Sequence, residues 1–202
     1  MPEGPFVILA KKAVDKFTDK KNIGISGNCT IDQSILQCKK IIGFKSWGRH
    51  FLICIQGLTL SIHFLMFGSY KIDEKKRNRA IRLRLTPKKG EINLHTCLIE
   101  YVGGDVNHHY NRCTGLKNEQ WDMESAKAKF KATLTKFICD ALPERDIFAG
   151  VGKIIKIELW CCLKFIQNLP REKYRRPKLN KLIDETCMDN FQFTDWKRAY
   201  KF

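Results

Sequence analysis

The sequence predicts an α+β fold, with an antiparallel β-sandwich over residues 1–111 and a helical domain over residues 118–202. Two observations carry that division. Up to about residue 111, apolar residues recur at every second position in short runs separated by tight turns. That is the period of strands with one face turned inward. From about residue 118 they recur at spacings of three and four, the period of amphipathic helices. With 202 residues and 44% hydrophobic content, the chain is long enough to bury real cores.

The elements follow in order. Phe6 to Phe17 reads as a helix. Phe51 to Ile55 is a strand that turns at Gln56-Gly57 into the next. There Leu58, Leu60, Ile62 and Phe64 alternate with Thr59, Ser61 and His63, which predicts a half-buried strand ending near His63 to Tyr70. The charge run Asp73 to Arg79 joins two strands, either as a solvated hairpin loop or as a phosphate-contacting one. Ile81, Leu83 and Leu85 alternate with Arg82, Arg84 and Thr86, and Pro87-Lys88-Lys89-Gly90 turns the chain into Ile92 to Leu94. Several short strands with tight turns indicate a sandwich.

In the second half, Asp122 is placed to cap a helix with apolar positions at Met123, Ala126, Phe130, Leu134 and Phe137. A short apolar segment, Phe137 to Leu142, leads through Asp146 to Gly152 into a helix over Lys153 to Phe165. Asn168 to Lys178 carries Pro170 and Pro177 and reads as a loop. A last helix is expected over Lys178 to Asn190, and an aromatic, basic end over Phe193 to Phe202.

Lysine and arginine number 37 against 21 acidic residues, a net charge of +16 that suits a polyanionic partner. No apolar run reaches the roughly 18 residues that span a bilayer, and no signal-peptide core opens the chain. The reading is a soluble, cytoplasmic monomer with no membrane contact. The nine cysteines are odd in number and irregularly spaced, with no Cys-x-x-Cys pair. This argues against a disulfide framework and a zinc ribbon, and no metal or other cofactor is expected.

The chemistry concentrates at Met1-Pro2-Glu3-Gly4-Pro5. Removal of Met1 would leave Pro2 with a secondary amine. Its reference pKa of about 8 leaves a useful unprotonated fraction near neutrality, and such an amine forms an iminium with a sugar carbon. Glu3 puts a proton-transferring carboxylate beside it. An ordinary turn-prone N-terminus is the other reading of these residues alone. Gly150-Val151-Gly152 opens a helix, where backbone N–H groups can approach a phosphate, and Lys153 adds a charge.

Four stretches occur together: Pro2-Glu3-Gly4-Pro5, Ser46-Trp47-Gly48-Arg49-His50-Phe51-Leu52, His63 to Tyr70, and Cys139 to Leu142 followed by Ile147 to Gly152. In this order and spacing the whole chain resembles the formamidopyrimidine-DNA glycosylase/endonuclease VIII family. The resemblance implies a helix-two-turns-helix motif at about 137–165 and damaged double-stranded DNA held between the two domains. It implies a base-excision-repair glycosylase with AP lyase activity on oxidised bases. Pro2 would attack C1′, Glu3 would shuttle protons, His63 would contact a phosphate, and Met66 would fill the space of a base that has left the stack. Gly150, Gly152 and Lys153 would lie at the DNA.

The chain departs from the family pattern at three points. Arg49 replaces a hairpin lysine, keeping the charge but unable to give up a proton at neutral pH. Lys153 replaces an asparagine that both donates and accepts. The zinc ribbon of many members is lacking. These departures support an alternative, a catalytically degenerate protein that binds damaged or abasic DNA.

Overall fold

The structure is a computed structural model and describes residues 2–74, 79–104, 106–110, 121–132, 138–164 and 176–187. The chain divides into two compact units, one of residues 1–2 and 6–110, the other of residues 3–5 and 111–202.

The first unit is built on strands β1 (Asn22–Ser26), β2 (Ile41–Trp47), β3 (His50–Ile55), β4 (Leu58–Ile72), β5 (Ile81–Pro87) and β6 (Ile92–Val102), with helix α1 (Gly4–Val14) before them and α2 (Val106–His109) after. All pairings are antiparallel, in the order β1-β5-β6-β4-β3-β2. The long strands β4 and β6 serve two layers. Thr59 to Phe64 pairs with Val102 to Cys97 on the side of β3, while Ser69 to Ile72 pairs with His95 to Ile92 on the side of β5. The outer strands meet through Asn22 N–H to the Lys39 carbonyl and Ile41 N–H to the Lys20 carbonyl, both 2.9 Å. The ladder therefore wraps onto itself, and Phe44, Phe51, Ile53, Leu60 and Ile62 share one core with Leu83, Leu85, Ile92 and Leu94. Phe64 sits inside, edge-on to Phe6 with ring centroids 5.3 Å apart.

Turn chemistry sets the hairpins. Gly48 and Gly57 hold positive φ (55° and 82°) in the two-residue connections β2–β3 and β3–β4, conformations in which a side chain would be strained.

Strand β4 differs from expectation in two ways. Thr59 and Ser61 are buried along with Leu60 and Ile62. Their face is covered, because the Tyr110 hydroxyl donates to Ser61 Oγ at 2.9 Å and the Trp47 and His50 rings pack against Tyr110. Nor is the strand regular to its end. It runs to Ile72 across a bulge. Phe64 pairs with Cys97 and Ser69 with His95, so four residues, Leu65 to Gly68, face Thr96 alone.

The second unit holds α3 (Met123–Ala132), α4 (Ile138–Ala141), α5 (Lys153–Leu163) and α6 (Arg176–Cys187). Asp122 Oδ1 caps α3, accepting from Glu124 N–H at 3.0 Å and Ser125 N–H at 3.2 Å. Ala126 and Phe130 of α3, Phe148, Ile155 and Leu159, and Leu182 and Ile183 of α6 form its core. Helix α6 starts at Arg176, earlier than the two prolines suggested. Pro177 lies in its first turn, where its missing N–H has no intrahelical partner to lose. Leu134, Phe137, the Pro170 segment and the tail from Phe193 lie outside the described residues. No helix of the described residues is long and apolar enough to cross a membrane.

Candidate active site

The N-terminal residues and the start of α5 form one arrangement in the second unit. Glu3 is 2% exposed, yet it is a carboxylate. Its Oε1 accepts from Ile154 N–H at 2.8 Å and its Oε2 from Ile155 N–H at 3.2 Å. These are first-turn donors of α5 that the helix cannot satisfy itself. Gly152 at the N-cap offers no side-chain bond, so Glu3 caps the helix from the far end of the sequence and places its charge on the positive end of the macrodipole. Gly4 N–H donates to the Gly150 carbonyl at 3.0 Å and holds the strand of chain in place.

The two glycines are required for different reasons. Gly150 has φ 113°, a conformation open to glycine. At Gly152 a Cβ would overlap Oε1, Cδ and Cγ of Glu3. The sequence suggests that the Gly-x-Gly turn lets backbone N–H groups approach a phosphate. In the structure the N–H groups of Ile154 and Ile155 are already occupied, and the turn makes room for a carboxylate. Lys153, the first residue of α5, is exposed at the helix end where the dipole disfavours a cation. Pro2 is half-buried and covalently joined to the fixed Glu3.

A second group lies on the β-sheet unit. Arg49 is the second residue of the Gly48-Arg49 turn between β2 and β3. The next residue, His50, pairs with His63 across β3 and β4, with ring centroids 5.2 Å apart. His50 Nδ1 lies 3.1 Å from Ser61 Oγ, which also accepts from Tyr110. The sequence reading missed Ser61 and Tyr110 as the residues that orient this pair. Tyr110 falls where the chain carries no periodic signal, so only its contacts give it a role.

Met66, also of this unit, stands in the β4 bulge and is 66% exposed, with Leu65 and Phe67 exposed beside it. Gly68 explains the extrusion. A Cβ there would lie 2.7 Å from Phe64 Cβ and 2.8 Å from the Thr96 carbonyl oxygen. Thr96 opposite it takes φ 49°. The backbone is pinched at this point, and the three residues before the pinch are pushed out of the ladder. Among the described residues, no cluster of three or more His, Cys, Asp or Glu could hold a metal ion.

No protein-family model and no curated protein sequence matches the chain. Solved structures do match in fold. Lactococcus lactis formamidopyrimidine-DNA glycosylase non-covalently bound to DNA containing an AP site superimposes with TM-score 0.78, at 19% identity over 96% of this chain and 82% of that one. A viral DNA glycosylase gives TM-score 0.81 at 12% identity, covering 98% and 84% of the two chains. The Lactococcus lactis Fpg complex with abasic-site DNA gives 0.77 at 19% identity over 92% and 76%. The β-sheet unit and the helical unit of this chain together have the fold of the formamidopyrimidine-DNA glycosylases.

Proposed function

We propose that the protein is a base-excision-repair DNA glycosylase with AP lyase activity on oxidised bases, using Pro2 as an imine-forming nucleophile. The observation that carries this reading is the buried Glu3 carboxylate, fixed by two backbone N–H groups of α5 and next in sequence to Pro2, whose nitrogen becomes an amine once Met1 is removed, in a chain with this fold. A carboxylate held away from solvent one residue from the nucleophile serves as its proton-transferring group. The Pro2 nitrogen bonds to C1′ as the bond from C1′ to the damaged base breaks. Glu3 serves the proton transfers of sugar-ring opening and base loss. The resulting iminium draws electrons from the sugar, so loss of a proton from C2′ expels the 3′ phosphate.

In this reading Arg49, His63 and Lys153 contact phosphates, Gly150 and Gly152 shape the turn that seats Glu3, and Met66 fills the space of the extruded base. Damaged double-stranded DNA is the partner, and the charge of +16 supplies salt-dependent attraction to it. The protein works as a cytoplasmic monomer.

The test is borohydride trapping on a duplex carrying an abasic site. A covalent adduct is expected, and protein that retains Met1, whose Pro2 nitrogen is an amide, gives none. No adduct from protein whose intact mass shows Met1 removed would overturn the lyase mechanism. The exposed Lys153 favours one second reading, salt-sensitive binding to abasic DNA without cleavage. That reading predicts that Arg49→Lys combined with Lys153→Asn restores turnover to an otherwise silent protein.

A further inference from the structure

Six lysines meet at one end of the β-sheet unit. Lys20 and Lys21 precede β1, Lys39 and Lys40 precede β2, and Lys88 and Lys89 lie in the turn between β5 and β6. Backbone pairing brings these three segments together. Lys21 and Lys40 stand opposite each other in an antiparallel bridge. The Ile41 N–H donates to the Lys20 carbonyl at 2.9 Å, and the Lys88 N–H donates to the Lys21 carbonyl at 3.1 Å. Like charges placed directly opposite each other in paired strands cost stability. All of the six but Lys39 are exposed. Among the described residues, one carboxylate pairs with them: Asp19 Oδ1 lies 2.8 Å from Lys40 Nζ. The hydrogen bond and charge of Lys40, with the charge of Lys20 added, hold the Asp19 carboxyl below its usual range. The nearby Lys16 is matched by its own partner, Asp73, at 3.1 Å. The rim therefore carries six cations against one paired acid.

This rim is remote from the residues assigned to the lesion. Strand β2 runs from Ile41, next to Lys40, to Trp47, close to Arg49, and its seven residues rise roughly 20 Å. Charges are screened over about 8 Å at physiological salt, so the rim and the Arg49 turn act on different phosphates. Duplex DNA presents a charge about every 1.7 Å along its axis, and lysines hold its backbone without reading bases. Lysine is depleted at protein–protein interfaces, which favours a nucleic-acid partner over an acidic protein. We propose that Lys20, Lys21, Lys39, Lys40, Lys88 and Lys89 form a second, sequence-independent DNA contact, which holds the backbone of a neighbouring duplex segment while the first lies at Arg49 and Met66. One molecule thereby bridges two segments and can pass from one to the other without release into solution. The inference rests on the reading of the chain as a DNA-binding protein, but not on the chemistry of Pro2.

The test loads the protein with one equivalent of an unlabelled abasic duplex and titrates in a fluorescent undamaged duplex, read by anisotropy over a series of salt concentrations. The parent is expected to take up the second duplex. A variant combining Lys20→Gln, Lys21→Gln, Lys88→Gln and Lys89→Gln is expected to lose most of that uptake, with the salt slope of the second binding step reduced by about 3 to 4, the value for four phosphate contacts. Its affinity for the abasic duplex should stay within about twofold of the parent's. The same four positions changed to arginine should retain the second step, because the charge is kept. If the glutamine variant takes up the second duplex like the parent, or if it loses both duplexes equally, the rim is not a separate contact. A parent that binds the abasic duplex and no second one overturns the proposal alone, whereas a parent that binds neither defeats the DNA reading itself. A loaded parent that binds polyglutamate but no second duplex would assign the rim to an acidic protein segment and also overturn it.

Discussion

The start of α5 and the bulge of β4 break opposite rules. At the first, a carboxylate is buried; at the second, three large apolar residues in a row are exposed. Each depends on a glycine with tight surroundings. Gly152 clears the space that Glu3 enters, and Gly68 permits the pinch that drives Leu65, Met66 and Phe67 outward. The burial of Glu3 is stabilised locally, since two N–H donors and a helix dipole offset the desolvation of the charge. At the bulge Arg79 holds the Phe67 carbonyl and stands over its ring, but Leu65, Met66 and Phe67 all remain exposed. A feature stabilised by its own contacts needs no ligand to explain it, whereas uncompensated exposed apolar surface points to something that covers it.

That contrast can be broken by substitution. The largest effect is expected just inside the bulge. Phe64→Ala removes a fully buried ring packed on Phe6 and Phe51 and should cost about 3–5 kcal/mol in urea unfolding. A cost below about 1 kcal/mol would mean that the bulge is not anchored on Phe64. Next comes Gly152→Ala, expected to cost about 2–3 kcal/mol by forcing Glu3 off the helix end, and to abolish borohydride trapping together with it. A stable Gly152→Ala protein that still traps would show that the carboxylate is not seated here. Glu3→Gln keeps the size and one acceptor but brings an NH2 group against an N–H donor, and it removes the charge at the dipole. We expect about 1–2 kcal/mol, read as a lowered urea midpoint with unchanged slope. The smallest effect sharpens the comparison most. Met66→Ala should change stability by less than about 0.5 kcal/mol while weakening binding to damaged duplex, because its side chain lies outside the core. Calorimetry that shows a large loss of stability would place Met66 in a core role.

These expectations show where the sequence was legible. The period-two pattern of Ile81 to Leu85 and the capping by Asp122 depend on neighbours in the chain and could be read directly. The polar face of β4 was misjudged because Tyr110, 49 positions away from Ser61, covers it. The bulge was invisible because Leu65-Met66-Phe67 looks like any buried run, and register is decided by the partner strand. Pro2, Glu3 and Met66 stood out by residue type and position. The seat of Glu3 did not, since its donors lie 151 and 152 positions away. Local chemistry is written in local sequence, while burial and register depend on what folds against them.

The capping bond between Glu3 and α5 also sets an order of events during synthesis. The carboxylate is made before its donors, Ile154 and Ile155, which follow it by 151 and 152 positions. Chains gain non-local contacts only after the loop between them has closed. Throughout that interval the Glu3 carboxylate has no seat, and it is buried only once α5 has formed.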